Sequence, residues 1–396
     1  MDLDTFFVSC ERLLDSRLNN KPILIGGTGG RGVVASCSYE ARTYGIHSAM
    51  PMKLARTLCP EAIVLQGSSS TYSKFSNAVT DVIKEISPVY EKSSIDEFYI
   101  DLTGMDKFFG SFQWSKELRE KIIRETGLPI SLGLSTSKTV SKVGTGEAKP
   151  NNYKEIASGH EMPFLAPLSI KKIPMVGDKT YGMLRNMGVK YIRTLQEMPM
   201  DIMERVMGKN GVVLWNKAHG IDNTPVIPYQ ERKSISLERT FERDTIDVVK
   251  LKNILTAMGE NLAYQLRKGE KLTSCVTVKI RYSDFHTRTK QFKIPYTSSD
   301  HTLISKILEI FDQLYERRVL IRLIGVRFSH LVNGAHQINL FEDTEEMINL
   351  YQAMDNIRHQ FGQGAIGRAT TMDSKIGSMG NPFSGDPPVI PAHRRS

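Results

Sequence analysis

Two short acidic stretches contain the residues of this sequence that are best suited to do chemistry. Asp96 and Glu97 are adjacent within residues 94–101, where the apolar side chains indicate a strand. Asp2 and Asp4 open the chain, and strand alternation predicts both carboxylates on one face. Carboxylates that converge in apolar strands repel one another unless cations neutralise them, so we expect the two stretches to meet. Taken alone, Asp96 and Glu97 fit a solvated hairpin turn equally well.

The ligand set of this expected site is made of oxygen atoms. Carboxylates without His or Cys favour Mg²⁺ or Mn²⁺ over zinc. Two hard cations about 3.5–4 Å apart are the usual device for in-line phosphoryl chemistry. We therefore predict two Mg²⁺ ions as cofactors, with Mn²⁺ as the alternative metal.

The composition predicts a protein of several modules with a basic excess. The chain has 396 residues, 40% of them hydrophobic, and its net charge is +9. No apolar run approaches the roughly 18–20 residues that a membrane helix needs, so no membrane contact is expected. The cysteines form no CxxC pair and predict reduced thiols in the cytoplasm. They are Cys10, Cys37, Cys59 and Cys275. A basic excess favours a polyanionic partner, although many basic proteins bind none.

A second candidate for phosphate chemistry follows a predicted strand at 33–37. Ser38 has the type expected of an N-cap, and Tyr39 and Arg42 are three residues apart on one helix face. An Arg fork and a Tyr hydroxyl near a helix start suit a phosphate. An ordinary surface Arg beside a half-buried Tyr is the alternative.

Four motifs in this order resemble the Y-family translesion DNA polymerases, closest to the DinB/UmuC (ImpB/MucB/SamB) branch. The resemblance covers residues 2 to about 341, and each motif alone would be a weak signal. The motifs are residues 2–7 (DLDTFF), residues 39–42 (YEAR), residues 94–97 (SIDE) and residues 148–151 (AKPN).

The resemblance implies an α+β multidomain fold, a right-hand polymerase with a ferredoxin-like palm. The implied domains are a palm at 1–10 and 71–165, small fingers at 11–70, a helical helix-hairpin-helix thumb at 166–232, an α+β little finger at 233–341, and a tail at 342–396. In the little finger the segments alternate as strand, helix, strand, strand, helix, strand. Residues 233–341 carry a net charge of +7, most of the excess of the whole chain.

The resemblance also assigns roles to single residues. It implies Asp2, Asp96 and Glu97 as catalytic carboxylates and metal ligands, with the Leu3 carbonyl as a further ligand. Asp4 is expected to be structural. The nucleotide would be held by Phe6, Phe7, Ser36, Tyr39, Arg42 and Lys149. Phe7 matches the family's steric gate against a ribose 2′-hydroxyl, and simple core packing is its alternative role.

Binding of primer-template DNA is expected at the thumb and at the little finger. The candidate residues are Lys171, Lys172, Gly177, Lys179, Lys279, Arg281, Arg322 and Arg327. Residues 337–341 resemble the short peptide by which bacterial polymerases hold the sliding clamp, with Gln337, Leu340 and Phe341 as its contacts. A solvated charged face is the alternative for the basic residues, and a chance match is the alternative for the short peptide.

The implied activity is template-directed DNA synthesis of low fidelity across damaged templates, in DNA repair and the SOS response. The implied substrates are primer-template DNA and a dNTP, and the implied enzyme is a DNA-directed DNA polymerase. We expect a cytoplasmic, nucleoid-associated monomer. Fingers of about sixty residues close loosely over the nascent pair, so selection rests on base pairing more than on shape.

Two departures from the family pattern and the tail carry expectations of their own. Relatives have several apolar residues before the first catalytic Asp, so a shortened chain with a stub of the first strand is expected to hold Asp2 poorly. Gly144 and Gly146 should weaken the helix that relatives carry there, by about 0.5–1 kcal/mol each. In the tail, residues 344–361 predict an amphipathic helix, with Thr344 as N-cap, and disorder is expected beyond Met372. Its predicted apolar face is Met347, Leu350, Tyr351, Met354, Ile357 and Phe361.

Two other classes of function stay open at this point. A palm-fold nucleotide cyclase also uses two metals and paired Asp residues, but it needs no DNA-binding domains at 166–341. A catalytically impaired, clamp-recruited DNA-binding accessory is the second, and the truncated first strand favours it. Primer extension with Mg²⁺ discriminates among all three.

Overall fold

The computed structural model describes residues 1–105, 110–334, 345–362 and 364–372. It divides into two compact units, the first covering Met1–Gln230 and the second beginning at Glu231. The candidate clamp peptide at 337–341, the predicted cap Thr344 and the residues beyond Met372 lie outside the described residues. The finer division into palm, fingers, thumb and little finger stays a prediction.

The first unit is built from short strands and helices. Its strands are β1 (Asp2–Leu3), β2 (Ile23–Gly26), β3 (Val34–Cys37), β4 (Ile63–Leu65), β5 (Val89–Lys92), β6 (Phe98–Asp101), β7 (Ile130–Leu134) and β8 (Tyr153–Glu155). Its helices are α1 (Phe6–Leu14), α2 (Tyr39–Arg42), α3 (Met52–Leu58), α4 (Ser69–Ile86), α5 (Ser111–Thr126), α6 (Lys138–Ala148), α7 (Glu161–Leu165), α8 (Asp178–Asn186), α9 (Ile192–Glu197), α10 (Met200–Met207) and α11 (Lys209–Ala218). Residues Ser16–Leu18 and Ile170–Lys172 form 3-10 helices.

Main-chain pairing brings the two acidic stretches together. The strand β1 pairs antiparallel with β7, with Asp2 opposite Ser131, and β7 runs parallel to β8. The hairpin of β5 and β6 meets β1 through a bridge between Asp2 and Glu97. The backbone N–H of Leu3 donates to the carbonyl of Asp96 at 2.9 Å. The predicted adjacency of the chain start and the acidic hairpin is therefore present in the fold.

The core beneath this junction fixes the strands that carry the acids. Leu3 is 1% exposed and packs with Phe98 and Ile130, so the neighbouring Asp2 is directed to the other face of the sheet. Helices α1, α4 and α5 and strand β2 also contribute to this core, and Val79 and Ile83 of α4 are buried four residues apart on one helix face. Burial of each of these side chains contributes roughly 1.5–3 kcal/mol to the stability of the fold.

Helix α6 lies unusually close to β7 because both elements carry a glycine at the contact. A Cβ on Gly133 would lie 2.3 Å from the carbonyl oxygen of Ser141, which no real side chain tolerates. A Cβ on Gly144 would lie 2.6 Å from the side chain of Ile156. The helix is continuous through Gly144 and Gly146. Gly144 therefore has a packing function that offsets part of its expected cost to the helix.

Two smaller cores complete the first unit. Strands β3, β2 and β4 form a sheet in that order, and helices α2 and α3 pack on it around Leu24, Val34 and Ala55. Helices α7 to α11 pack around Ile170, Leu184 and other apolar side chains, together with Val140 and Val143 of α6. Helix α6 thus has one face on the sheet and another on the helical core.

The second unit has the predicted order of strand, helix, strand, strand, helix, strand, which is confirmed. Its elements are β9 (Ser234–Thr245), α12 (Val248–Lys268), β10 (Lys271–Tyr282), β11 (Thr287–Thr297), α13 (Asp300–Leu314), β12 (Ile321–Asn333), α14 (Glu345–Phe361) and a 3-10 helix at Ala369–Thr371. The strand order in the sheet is β11-β10-β12-β9. Helices α12 and α13 cover one face of this sheet, and Val276, Ile280 and Phe328 are buried beneath them.

The tail forms the predicted helix, but only part of its predicted apolar face is covered, with Tyr351 buried and Met347 and Met354 half-buried. Tyr351 and Arg358 are buried, whereas Leu350 is 47% exposed and Phe361 is 74% exposed. The helix also makes a buried ionic contact in which Arg267 of α12 donates to Asp355 at 2.6 Å and to Asp300 at 2.6 Å. The docked face of α14 therefore combines this charge pairing with the Tyr351 ring, which lies 4.9 Å from the Arg267 guanidinium.

None of the helices in the described ranges combines the length and the apolar character that a bilayer crossing requires.

Candidate active site

Lysine side chains neutralise the carboxylates at the junction of β1 and the β5–β6 hairpin. The ammonium of Lys149 donates to Asp2, and that of Lys142 donates to Glu97 Oε2 at 2.5 Å. The Ser94 hydroxyl donates to Asp96 Oδ1 at 2.5 Å. Burial raises the pKa of Asp2 to about 6, although the Lys149 ammonium acts in the opposite direction. A further positive charge beside Asp2 would favour its ionised form.

The chemistry of this donor set fits a hard divalent cation. Asp2, Asp96 and Glu97 offer carboxylate oxygens, which suit Mg²⁺ or Mn²⁺. Lys142 and Lys149 already place positive charge against two of them. Within the described residues, no three His, Cys, Asp or Glu side chains are arranged so that they could hold a metal ion. The carboxylates are thus oriented by ammonium groups in this structure.

Asp4 is a buried anchor for the segment that carries Lys149. Its carboxylate is 1% exposed and accepts hydrogen bonds from Ser131 Oγ at 2.8 Å, from the Asn151 N–H at 2.6 Å and from the Tyr39 hydroxyl at 3.4 Å. The predicted placement of Asp2 and Asp4 on one face is present, because the Lys149 ammonium that donates to Asp2 also lies 3.7 Å from Asp4 Oδ1. The strand ends after Asp4, where Thr5 adopts a left-handed conformation at φ 43° and the chain turns into α1.

Replacing Asp4 by Ala is expected to destabilise the first unit by about 2–4 kcal/mol, because buried donors lose their shared acceptor. Urea unfolding followed by circular dichroism measures the change. Asp15→Asn is the matched control, since Asp15 pairs with Arg17 at an exposed position and such pairs contribute about 1 kcal/mol or less. Equal stability of the Asp4→Ala and control variants would contradict the anchoring role.

One cleft of about 170 Å³ collects most of the residues predicted to contact a nucleotide. The predicted residues that line it are Asp2, Leu3, Phe6, Phe7, Ser36, Arg42, Asp96 and Lys149. Glu97 instead borders a small neighbouring hollow beside Lys142 and Thr145. A larger cavity of about 450 Å³ lies between β6, β7, α6 and residues 222–226, and the predicted site residues do not line it.

Two aromatic contacts shape the walls of the cleft. The Phe7 ring stacks on Tyr72, with centroids 4.3 Å apart and an interplanar angle of 15°, and the Tyr72 hydroxyl donates to Glu11 at 2.7 Å. The Arg42 guanidinium lies 5.0 Å from the centre of the Tyr39 ring. Ser38 caps α2 as predicted, because its hydroxyl accepts from the Ala41 N–H. The burial of Tyr39 and the nearby Asp4 carboxylate raise the pKa of Tyr39, so its hydroxyl stays protonated.

Sequence profiles now identify the family. The impB/mucB/samB family profile matches residues 1–146, and the profile of the C-terminal domain of the same family matches residues 232–340. The chain belongs to this family of Y-family DNA polymerases. It is a DNA-directed DNA polymerase, and it has the right-hand polymerase fold that the resemblance implies.

Relatives and solved structures agree with this membership. The chain is 35% identical over 370 residues to DNA polymerase IV of Dehalococcoides mccartyi (strain ATCC BAA-2100), covering 92% of this chain and 95% of the relative. It is 33% identical over 328 residues to DNA polymerase IV of Treponema denticola, covering 82% of this chain and 83% of the relative. A chimera of Dbh and Dpo4, a Y-family DNA polymerase, superposes with a TM-score of 0.76 at 25% identity, covering 84% of this chain and 98% of the chimera.

A further solved structure shows the fold alone. It is DinB from Sulfolobus solfataricus, which superposes with a TM-score of 0.58 at 24% identity, covering 84% of this chain and 98% of DinB. Translesion synthesis is the activity of the family, and its polymerases depend on metal ions. The polymerase described here therefore shares a metal-dependent chemistry.

The candidate DNA-binding residues of the first unit lie around α8. Gly177 is the N-cap of this helix, and Lys179 is exposed in its first turn. Lys171 pairs with Asp178 at 3.0 Å, and Lys172 pairs with Glu147 at 2.8 Å. The lysine side chains of both ion pairs are more than half exposed, so a phosphate can compete for their ammonium groups.

Three of the candidate residues of the second unit share one face of its sheet. Lys279, Arg281 and Arg327 lie on the sheet face opposite α12 and α13, with Arg327 next to Thr277 on the neighbouring strand. Lys279 pairs with Glu238 at 2.9 Å across this face. Arg322 lies at an irregularity of β12 between Ile321 and Leu323, and its guanidinium is 4.6 Å from the centre of the Phe285 ring.

Sequence reasoning missed Lys142 and Tyr72, which contact predicted site residues directly. Lys142 precedes Lys149 by seven residues, about two helical turns, so both reach the same side of α6. That spacing was a usable signal. Tyr72 is 65 residues from Phe7, and the sequence carries no local signal for their stacking.

Proposed function

We propose that this polymerase extends a DNA primer by nucleotidyl transfer at the Asp2, Asp96 and Glu97 carboxylates, with low fidelity and across damaged template bases. In this reaction the primer 3′-oxygen forms a bond to the α-phosphorus of a dNTP, and the bond to pyrophosphate breaks. One observation supports the proposal most. Main-chain pairing holds Asp2 beside Glu97, at the edge of the cleft that Phe7, Arg42 and Lys149 line.

Asp2, Asp96, Glu97 and the Leu3 carbonyl would hold two Mg²⁺ ions. Bound Mg²⁺ would lower the pKa of the attacking hydroxyl, and it would place positive charge against the triphosphate. The chain contributes the fixed positions of the carboxylates, since register with β7 holds Asp2 and the Ser94 hydroxyl orients Asp96. Mn²⁺ is the alternative ion.

The cleft residues would hold the incoming nucleotide. Arg42 and Lys149 supply positive charge at the cleft, and the Tyr39 hydroxyl stays a donor because burial raises its pKa. These groups suit the β- and γ-phosphates of a dNTP. Phe6, Phe7 and Ser36 line the same cleft, and Phe7 would meet the sugar. The part of the chain built on the β3-β2-β4 sheet has a small core, and we propose that it closes only loosely over the nascent base pair. Loose closure would let the enzyme accept damaged template bases.

Contacts to the duplex would come from Lys171, Lys172, Gly177 and Lys179 of the first unit and from Lys279, Arg281, Arg322 and Arg327 of the second. Lysine and arginine contacts to phosphates fix the register of a duplex without reading its sequence. We further propose a monomer that acts on nucleoid DNA in the cytoplasm during the SOS response and is recruited to the sliding clamp through Gln337, Leu340 and Phe341.

Primer extension tests the proposal. The full chain is incubated with a primer-template duplex, dNTPs and Mg²⁺, first on an undamaged template and then on one with a single abasic site. Extension past the abasic site, lost when Mg²⁺ is chelated, is the expected result. DNA binding without any extension would overturn the proposal and leave the clamp-recruited accessory as the better account.

A further inference from the structure

Helix α6 places a row of lysines against acidic residues of the sheet. Lys138 donates to Glu91 at 2.5 Å, Lys142 donates to Glu97 at 2.5 Å, and Lys149 at the end of the helix donates to Asp2. Residues four and seven apart lie on one helix face, so a single rigid element presents all of these ammonium groups. Within this row, Lys142 is the residue that pairs with Glu97, and it is not among the residues proposed to hold the nucleotide.

The surroundings of Lys142 suit a group that can leave its partner. Its side chain is 39% exposed, and Glu97 is 25% exposed, so water reaches the pair. Lys138 and Glu91 are 14% and 18% exposed, which makes that pair the more enclosed one. An ion pair open to water is weak and exchanges readily, typically contributing about 1 kcal/mol or less.

We propose that Lys142 is a displaceable counter-ion of Glu97, which occupies the carboxylate before a divalent cation binds and thereby lowers the cation affinity of the site. The inference rests on the proposed function, because it takes Glu97 as a metal ligand. Lys142 is a positioning residue in this scheme, since it acts through Glu97. Cation binding becomes an exchange in which the ammonium moves off Glu97 Oε2 and is released toward the solvent-exposed side of α6.

Direct Mn²⁺ binding to the DNA-free full chain tests the exchange, with free Mn²⁺ measured by electron paramagnetic resonance. Lys142→Met should tighten Mn²⁺ binding about two- to fivefold, the gain expected if the ion pair is populated about 50–80% of the time. Lys142→Arg keeps the charge and the pairing, so its dissociation constant should match that of the wild type. Without metal, Lys142→Met should also lower the melting temperature, and saturating Mn²⁺ should narrow that difference.

Lys138→Met is the matched control, because it removes the same charge from the same helix face but leaves Glu97 paired. Tightening by Lys138→Met equal to that by Lys142→Met would overturn the proposal, as would unchanged or weaker Mn²⁺ binding in Lys142→Met. If Lys142→Met does not fold, Lys142→Gln takes its place in the same comparison.

Glu97→Gln separates this inference from the proposed function. Weaker Mn²⁺ binding in Glu97→Gln together with no change in Lys142→Met overturns the counter-ion role alone. Unchanged Mn²⁺ binding in Glu97→Gln removes Glu97 from the ligand set and overturns the metal assignment of the proposed function as well.

Discussion

Replacing Asp96 or Glu97 by Ala is expected to abolish primer extension, with a fall in rate on the order of 1,000-fold or more, because each change removes charge from the reacting centre. Neither residue belongs to the basic surfaces proposed to hold the duplex, so DNA affinity should be retained. Single-turnover extension with Mg²⁺ measures the first quantity, and fluorescence anisotropy of a labelled primer-template measures the second.

Glu91→Ala is the matched control for these two variants. Glu91 is on the same hairpin and also pairs with a lysine of α6, at 2.5 Å, but the bridge to Asp2 is made by Glu97. Extension by Glu91→Ala should stay close to that of the wild type at a temperature where both are folded. Near-normal extension by Asp96→Ala or Glu97→Ala would break the proposed mechanism, whereas loss of DNA affinity in parallel would indicate a folding defect.

The sequence predicted each acidic stretch from local signals, and the resemblance of its four motifs to one family implied that the two stretches meet. Alternating burial fixes which face of a strand each side chain takes, and the apolar residues Phe98 and Ile100 mark strand β6. The long periodic segments of the second unit predicted its order of elements for the same reason. The strand predicted from residue 94 begins only at Phe98, because residues 94–96 form the bend between β5 and β6. The left-handed turn at Thr5, which ends the first strand and starts α1, carried no comparable signal.

Contacts between distant residues are what the sequence could not supply. The docking of α14 includes the ion pair of Arg267 and Asp355, which are 88 residues apart, and it leaves Leu350 and Phe361 of the predicted apolar face exposed. The lysine that holds Glu97 is 45 residues away from it. Each of these pairings needs the packing of whole elements to be known first, whereas helical and strand periods are properties of a few neighbouring residues.

Replacing Phe7 by Ala is expected to admit ribonucleotides, raising the ratio of rNTP to dNTP incorporation on the order of 100-fold, because a rigid wall against the 2′-hydroxyl is lost. The ring is held on one side by Tyr72, whose own hydroxyl is fixed by Glu11. A ring stacked on a buried neighbour cannot yield to an added oxygen atom without disturbing the core. The ratio of kcat/KM values for matched rNTP and dNTP substrates measures the effect.

Tyr72→Phe is the control that separates a gate from simple packing. It keeps the ring that supports Phe7 and removes the hydroxyl that bonds to Glu11, so sugar discrimination should be nearly preserved. Phe7 is partly exposed at the cleft, so Phe7→Ala should cost less stability than a fully buried Phe, and dNTP incorporation should persist. If sugar discrimination is the same in Phe7→Ala as in the wild type, Phe7 acts in core packing alone, and the walls of the cleft select the sugar by some other contact.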